Sequence, residues 1–291
     1  MSRNNSRTGI PGEKTTEHSD PPLGIAPIQP NSSDTGSLSF TVPTEFVELP
    51  SQGKFYPEDH PLHNESVVEI RHMTAKDEDI LSSKALLKQG VAVDRFLRNV
   101  IQNKSIDINS LILGDKSAIL IAARVSGFGP EYDTKLVCPV CFAHGRHTFN
   151  LDDVKVNHGN DIDGLEVERN GAGNLVITTP QTNVRVECQM MTGFHEKQLL
   201  AQKRRAEKQK LPDKVATSQM IMSTVSINGN TDKATIRRFA QDMPIKDSRY
   251  IRKAIEVCSP NIEIRDFVEC LECGASTDME VPFTTDFFWP K

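Results

Sequence analysis

Two short stretches of this 291-residue sequence carry chemistry in their spacing, Cys138-Pro139-Val140-Cys141 and Cys270-Leu271-Glu272-Cys273. Two residues between cysteines let both thiols face one side of a tight turn, which is how half of a tetrahedral zinc site is presented. Two such knuckles supply four soft ligands, Cys138, Cys141, Cys270 and Cys273. A four-thiolate shell leaves no position for water or substrate, so the metal they imply, one zinc per chain, is structural rather than catalytic. Four ordinary reduced cysteines, or a redox pair, are the alternative readings. His144 and His147 lie near the first knuckle and are either stand-in ligands or plain strand residues. Cys188 and Cys258 stand alone in apolar surroundings and read as small buried side chains.

Other strings imitate enzyme motifs and fail on a required residue. His195-Glu196-Lys197-Gln198-Leu199 starts like a metalloprotease helix, but Leu199 stands where the second histidine should be. Gly114-Asp115-Lys116-Ser117 has Lys-Ser without the glycine-rich loop that cradles phosphate, and reads as a helix start. Acidic groups such as Asp77, Glu78 and Asp79 read as solvent-facing charge. The basic run Lys203, Arg204, Arg205, Lys208 and Lys210 reads as a solvated helix face. No catalytic residue is assigned, and no small-molecule substrate or cofactor site beyond the metal.

The elements that must position the knuckles follow from pattern. Residues 1–40 are rich in Ser, Asn, Thr, Pro and Gly without apolar period, and are expected to be a disordered arm. Residues 41–130 should hold an extended segment punctuated by prolines, a strand over 67–73 and a three-helix unit. Its first helix spans 75–88, opened by Thr74 with Asp77 three residues on and stopped by Gly90. Val93, Phe96, Leu97, Val100 and Ile101 mark the second, and 118–125 the third. Residues 131–190 contain the first knuckle and short strands over 135–138, 147–151, 175–179 and 184–188. Residues 191–258 return to helix over 193–210, 213–226, 232–242 and 247–257. Residues 259–291 carry strands over 262–270 and 277–283, the second knuckle and an aromatic end. The fold class expected is α+β: a helical unit and a discontinuous zinc-ribbon-like β module, with a second helical region inserted between its knuckles.

A formal net charge of -5 and 6% aromatic residues argue against a general nucleic-acid binder, which needs basic surface and stacking platforms. No apolar run reaches the roughly 20 residues of a membrane-spanning helix. The opening Met-Ser-Arg-Asn-Asn-Ser lacks the apolar core of a secretory signal, so synthesis in a reducing cytoplasm is expected. Phe287, Phe288 and Trp289 form the densest aromatic cluster in a chain with one Trp. It is either packed on the chain's own core or an anchor for a partner.

The segments Glu48-Leu49-Pro50-Ser51-Gln52-Gly53-Lys54-Phe55-Tyr56-Pro57, Met73-Thr74-Ala75-Lys76-Asp77-Glu78-Asp79-Ile80-Leu81 and Val281-Pro282-Phe283-Thr284-Thr285-Asp286-Phe287-Phe288-Trp289-Pro290, taken with both knuckles, resemble the baseplate hub and hub-assembly family of T-even-type contractile-tailed phages. The similarity runs from about Thr44 to the C-terminus. It implies a viral structural protein of the virion tail baseplate, assembled in the host cytoplasm. Its implied partners are other baseplate hub, tail tube or tape-measure proteins, and the family supplies no catalytic residues. Two roles fit that setting: a structural hub subunit, or a transient assembly chaperone for hub or tape-measure protein. A zinc-ribbon nucleic-acid-binding adaptor is the alternative of another class.

Overall fold

In a computed structural model, residues 42–160, 164–210, 215–281 and 285–288 are described. The arm expected over 1–40 and the indole of Trp289 lie outside them. Strand β1 (Thr44–Glu48) pairs antiparallel with β2 (Val67–Arg71), Val47 facing Val68, and buries Val47, Val68 and Ile70. The intervening segment holds itself down through Asp115, whose carboxylate accepts from the Ser51 amide (2.9 Å), the Ser51 hydroxyl (2.6 Å) and the Tyr56 hydroxyl (2.7 Å). Tyr56 in turn accepts from the Ile112 amide. Burial raises the Asp115 carboxyl above its usual range in spite of these donors.

Helix α1 (Ala75–Ser82) starts where Thr74 and Asp77 form a reciprocal capping box. The single helix expected over 75–88 is in fact two. The chain is extended at Ser83 (φ -65, ψ 106), whose carbonyl then receives the Leu87 amide at the start of α2 (Lys84–Gln89). Two adjacent serines favour such a break, since their hydroxyls compete for backbone groups in a helix interior. Gly90 ends α2 in the left-handed region (φ 72). Helix α3 (Ala92–Val100) buries Phe96, Leu97 and Val100, the three- and four-residue spacing read from its sequence. Helix α4 (Leu113–Phe128) is the central rod of the core. Its Gly114 is obligatory, because a Cβ there would lie 2.1 Å from the Pro260 carbonyl.

Asp77 corrects the solvent-facing reading of the early carboxylates: it is fully buried against Arg71, at 2.6 and 3.0 Å. Lys116 lies in the first turn of α4, the helix start read from its sequence. It is buried between Asp94 (3.1 Å) and Glu196 (2.6 Å), with Lys197 bonding Asp94 from the other side at 2.8 Å. This network ties three helices together: α3, α4 and α5 (Gly193–Gln209).

Beyond α4 the chain forms the first hairpin, β3 (Glu131–Val137) with β4 (His144–Asn150), then β5 (Lys155–Asn157). A four-stranded antiparallel sheet follows in the order β6 (Val167–Arg169), β7 (Leu175–Thr178), β8 (Arg185–Cys188), β9 (Thr224–Ile227). The helix expected over 213–226 is shorter, α6 (Val215–Ser223), because Thr224-Val225-Ser226-Ile227 leaves it to pair with β8. That run is β-branched and alternating, and an available sheet edge outweighs helical continuation. Helices α7 (Lys233–Asp242) and α8 (Ile245–Cys258) precede β10 (Asn261–Glu263), and β11 (Arg265–Glu269) with β12 (Ser276–Glu280) makes the second hairpin. The alternation of Asp266 to Met279 side chains places Val268, Thr277 and Met279 inward and Phe267 outward.

Strand β10 pairs antiparallel with β5, so the segments that carry the two hairpins are joined by backbone hydrogen bonds. One continuous apolar cluster runs from Val47 to Phe288. At its C-terminal end Phe287 packs edge-on to Tyr132, and Phe288 edge-on to Phe96, leaving both nearly solvent-free. Fully buried Arg124 fixes this end: its guanidinium donates to the carbonyls of Phe287, Gly129 and Glu131 at 2.7–2.9 Å and lies beside the Phe128, Tyr132 and Phe287 rings.

Candidate metal centre

Each knuckle is built by the same backbone pattern. The Cys138 amide donates to the Ala143 carbonyl and the Phe142 amide returns to the Cys138 carbonyl, both at 2.9 Å. Cys270 repeats this with Ala275 (2.9 Å) and Gly274 (2.8 Å). The fifth residue of each turn must take positive φ, 61 at Phe142 and 69 at Gly274. The pattern aims the two thiols of a pair the same way, and the hairpins present the pairs to each other.

The four Sγ atoms lie within 4.8 Å of one another, with Cys138 to Cys273 at 3.8 Å and Cys141 to Cys270 at 3.6 Å. Four thiolates at a zinc–sulfur distance of about 2.3 Å define a tetrahedron with edges of about 3.8 Å. The cluster therefore fits a metal of that size, and a thiolate set suits a soft or borderline ion. Electrostatics points the same way. Backbone amides of Cys141 and Val140 hold the Cys138 thiol down to about 6. Once it is ionised its neighbours resist: Cys141, although favoured by the Ala143 amide, is pushed up to about 12 by the surrounding thiols of Cys273, Cys270 and Cys138. Four thiolates in this space require a cation to coexist.

Cys141 and Cys273 are exposed, Cys270 partly so, and Cys138 buried. His147 is not among the ligand-forming groups: its Nε2 pairs with the Asp266 carboxylate at 2.8 Å, a bond that joins the two hairpins directly. His144 is an exposed strand residue opposite Val137. Cys188 and Cys258 are fully buried, and burial drives the Cys188 thiol up to about 12, which keeps it protonated and inert. That these four cysteines come together was legible from spacing. The His147–Asp266 tie and the β5–β10 pairing were not, since a lone histidine and a three-residue strand carry no sequence signal.

Among the described residues, two further histidines, His60 and His195, sit beside hydroxyl groups. His60 Nε2 lies 2.7 Å from the Ser110 hydroxyl, an arrangement that resembles a base with its nucleophile. Its Nδ1, however, accepts from the Leu62 amide at 3.1 Å, so the ring proton sits on Nε2 and is donated to Ser110. Ser110 passes its own proton to the Asp107 carbonyl at 2.7 Å. The direction of the chain of bonds is wrong for activating a nucleophile. His195 is consumed at the start of α5, where its Nδ1 caps the Thr192 amide at 3.1 Å. Among the described residues no helix is long and apolar enough to cross a membrane.

No curated protein and no solved structure matches the chain. The model of one family, described as T4 bacteriophage base plate protein, matches residues 42–289. That span takes in the Asp115-clamped segment, the capped first helix, both knuckles and the aromatic end, and the chain belongs to the T4 bacteriophage base plate protein family.

Proposed function

We propose that this chain is a structural subunit of the baseplate hub of a contractile phage tail, acting by protein–protein binding during tail-tip assembly. The family match over residues 42–289 carries the reading. The buried polar groups support it: Asp77, Asp115, Lys116 and Arg124 are each engaged in holding elements together. Within this reading the four cysteines hold one structural zinc that fixes the two hairpins as a ribbon. Its partners are other hub, tail tube or tape-measure proteins. Partner contact at the aromatic end falls to Trp289, because Phe287 and Phe288 are committed to the core.

The assembly-chaperone reading differs in one observable. Quantitative protein identification in purified virions and in matched lysate should find the chain in the particle at a fixed ratio to other baseplate proteins. Abundance in lysate with absence from particles would replace the subunit reading with the chaperone one.

A further inference from the structure

The ribbon ends in an apolar tip. Val140 and Phe142 flank Cys141, and Leu271 follows Cys270; the 3.6 Å separation of the two sulfurs brings these side chains to the same end of the module. Their exposures are 63%, 74% and 98%. Phe142 is also strained, because it takes positive φ at the position the other knuckle gives to Gly274. Glycine would serve the turn without penalty, so an aromatic residue held there and turned to water is unexplained by local folding. Two acids stand at this end, Glu269 and Glu272, both exposed on the second knuckle with Arg146 beside them; Asp278, further along β12, is paired with Arg265 at 3.0 Å.

A surface of opposite sign lies on α5. Its distal half is exposed on nearly all sides and carries Lys203, Arg204, Arg205 and Lys208 against Glu207. Leu200, Lys203, Arg204, Glu207 and Lys208 recur at i, i+3, i+4, i+7 and i+8, so one face combines an apolar residue, 44% exposed, with three cations. The proximal part of this stripe is anchored on the chain itself, Glu196 on Lys116 and Arg204 on the Gln89 carbonyl at 3.2 Å, so the surface left to a partner is the exposed distal part, Lys203 and Lys208 with Leu200.

We propose that these two faces meet between copies: the ribbon tip of one chain, Val140, Phe142 and Leu271 with Glu269 and Glu272, docks on the α5 face of a second copy. The tip calls for a partner that is apolar and basic together, and α5 supplies both. A polyanion would satisfy the helix but would be repelled by the tip. The contact joins different surfaces of identical chains, so it continues into a ring or filament instead of closing as a two-fold dimer. It stands apart from the hub reading, because it concerns the isolated protein and not the particle.

Sedimentation velocity of the full-length protein tests it. Species larger than a dimer should grow with concentration at low salt and dissociate at high salt. The double variants Glu269→Lys/Glu272→Lys and Lys203→Glu/Lys208→Glu should each sediment as monomers, and an equimolar mixture of the two should recover association through the exchanged charges. Phe142→Gly suits the turn, so it should melt at or above the wild-type temperature yet associate at least about tenfold more weakly. Its intact fold separates loss of contact from loss of structure. Wild-type protein that is monomeric throughout would overturn the proposal, as would association indifferent to these substitutions. Monomeric protein whose α5 cations instead retain single-stranded or duplex nucleic acid would overturn it too.

Discussion

Replacing Asp77 should be among the most damaging single substitutions in the chain. The side chain is fully buried and performs two tasks at once. It accepts from the Thr74 amide (2.9 Å) and hydroxyl (2.8 Å), closing the start of α1, and it pairs with Arg71 through both oxygens. Arg71 keeps only 20% of its side-chain exposure. Asp77→Ala removes the cap and leaves that guanidinium buried without its counter-charge, which should cost about 3 to 5 kcal/mol. Asp77→Asn keeps an acceptor for Thr74 but not the charge, so its loss should be smaller by about 1 kcal/mol, the worth of the cap. Burial alone would raise the Asp77 carboxyl, but the Arg71 hydrogen bond, with those from Thr74, holds it below the ordinary range. A depressed carboxyl stabilises the fold above its unfolded pKa of about 4 and loses that contribution as pH falls through the folded value. The same holds for Asp94, where bonds and charge from Lys197 and Lys116 outweigh burial. Urea unfolding at neutral pH and at stepwise lower pH reads both effects. An Asp77→Ala protein within about 1 kcal/mol of wild type, or an Asn variant equal to the Ala variant, would refute the combined cap and ion-pair argument.

Tyr56→Phe should destabilise by about 1 to 3 kcal/mol in urea titration, because it takes a donor from buried Asp115 and the acceptor from the Ile112 amide; no measurable change would contradict the clamp. Phe288→Ala should lose about 3 to 5 kcal/mol, since its ring fills the core against Phe96. Trp289→Ala separates the two readings of the last aromatic: an anchor should melt normally and fail to pull down hub proteins, a core residue should lose about 3 to 5 kcal/mol of stability, and a normal result in both assays would refute both. Deleting residues 1–38 should leave the melting temperature of the remainder nearly unchanged, for that stretch has too few apolar residues to offset its ordering entropy; a large drop would show that it contributes to the core.

The parts of the fold written in local chemistry were readable from the sequence. The Thr74–Asp77 box, the Gly90 stop, the apolar spacing of α3 and the CxxC pairs each report on neighbours a few residues away. What escaped depends on distant partners. Asp77 looks like surface charge until Arg71 arrives from β2, and the helix start at Lys116 gives no sign of Asp94 and Glu196, which enclose the lysine. Thr224–Ile227 reads as the end of a helix until the β8 edge claims it. The meeting of the two hairpins was half legible: the thiols announced themselves, whereas β5–β10 and His147–Asp266, which join the same segments, did not.

That second set of ties sharpens the expectation for the metal. Protein purified without chelator should contain one zinc per chain by elemental analysis. Cys138→Ser or Cys270→Ser should abolish it and raise amide exchange in β3, β4, β11 and β12, while α3 and α4 keep their protection. Full zinc content in either variant, or a metal-free wild type whose hairpins exchange as slowly as its helices, would contradict the claim that four thiolates and one ion hold the ribbon together.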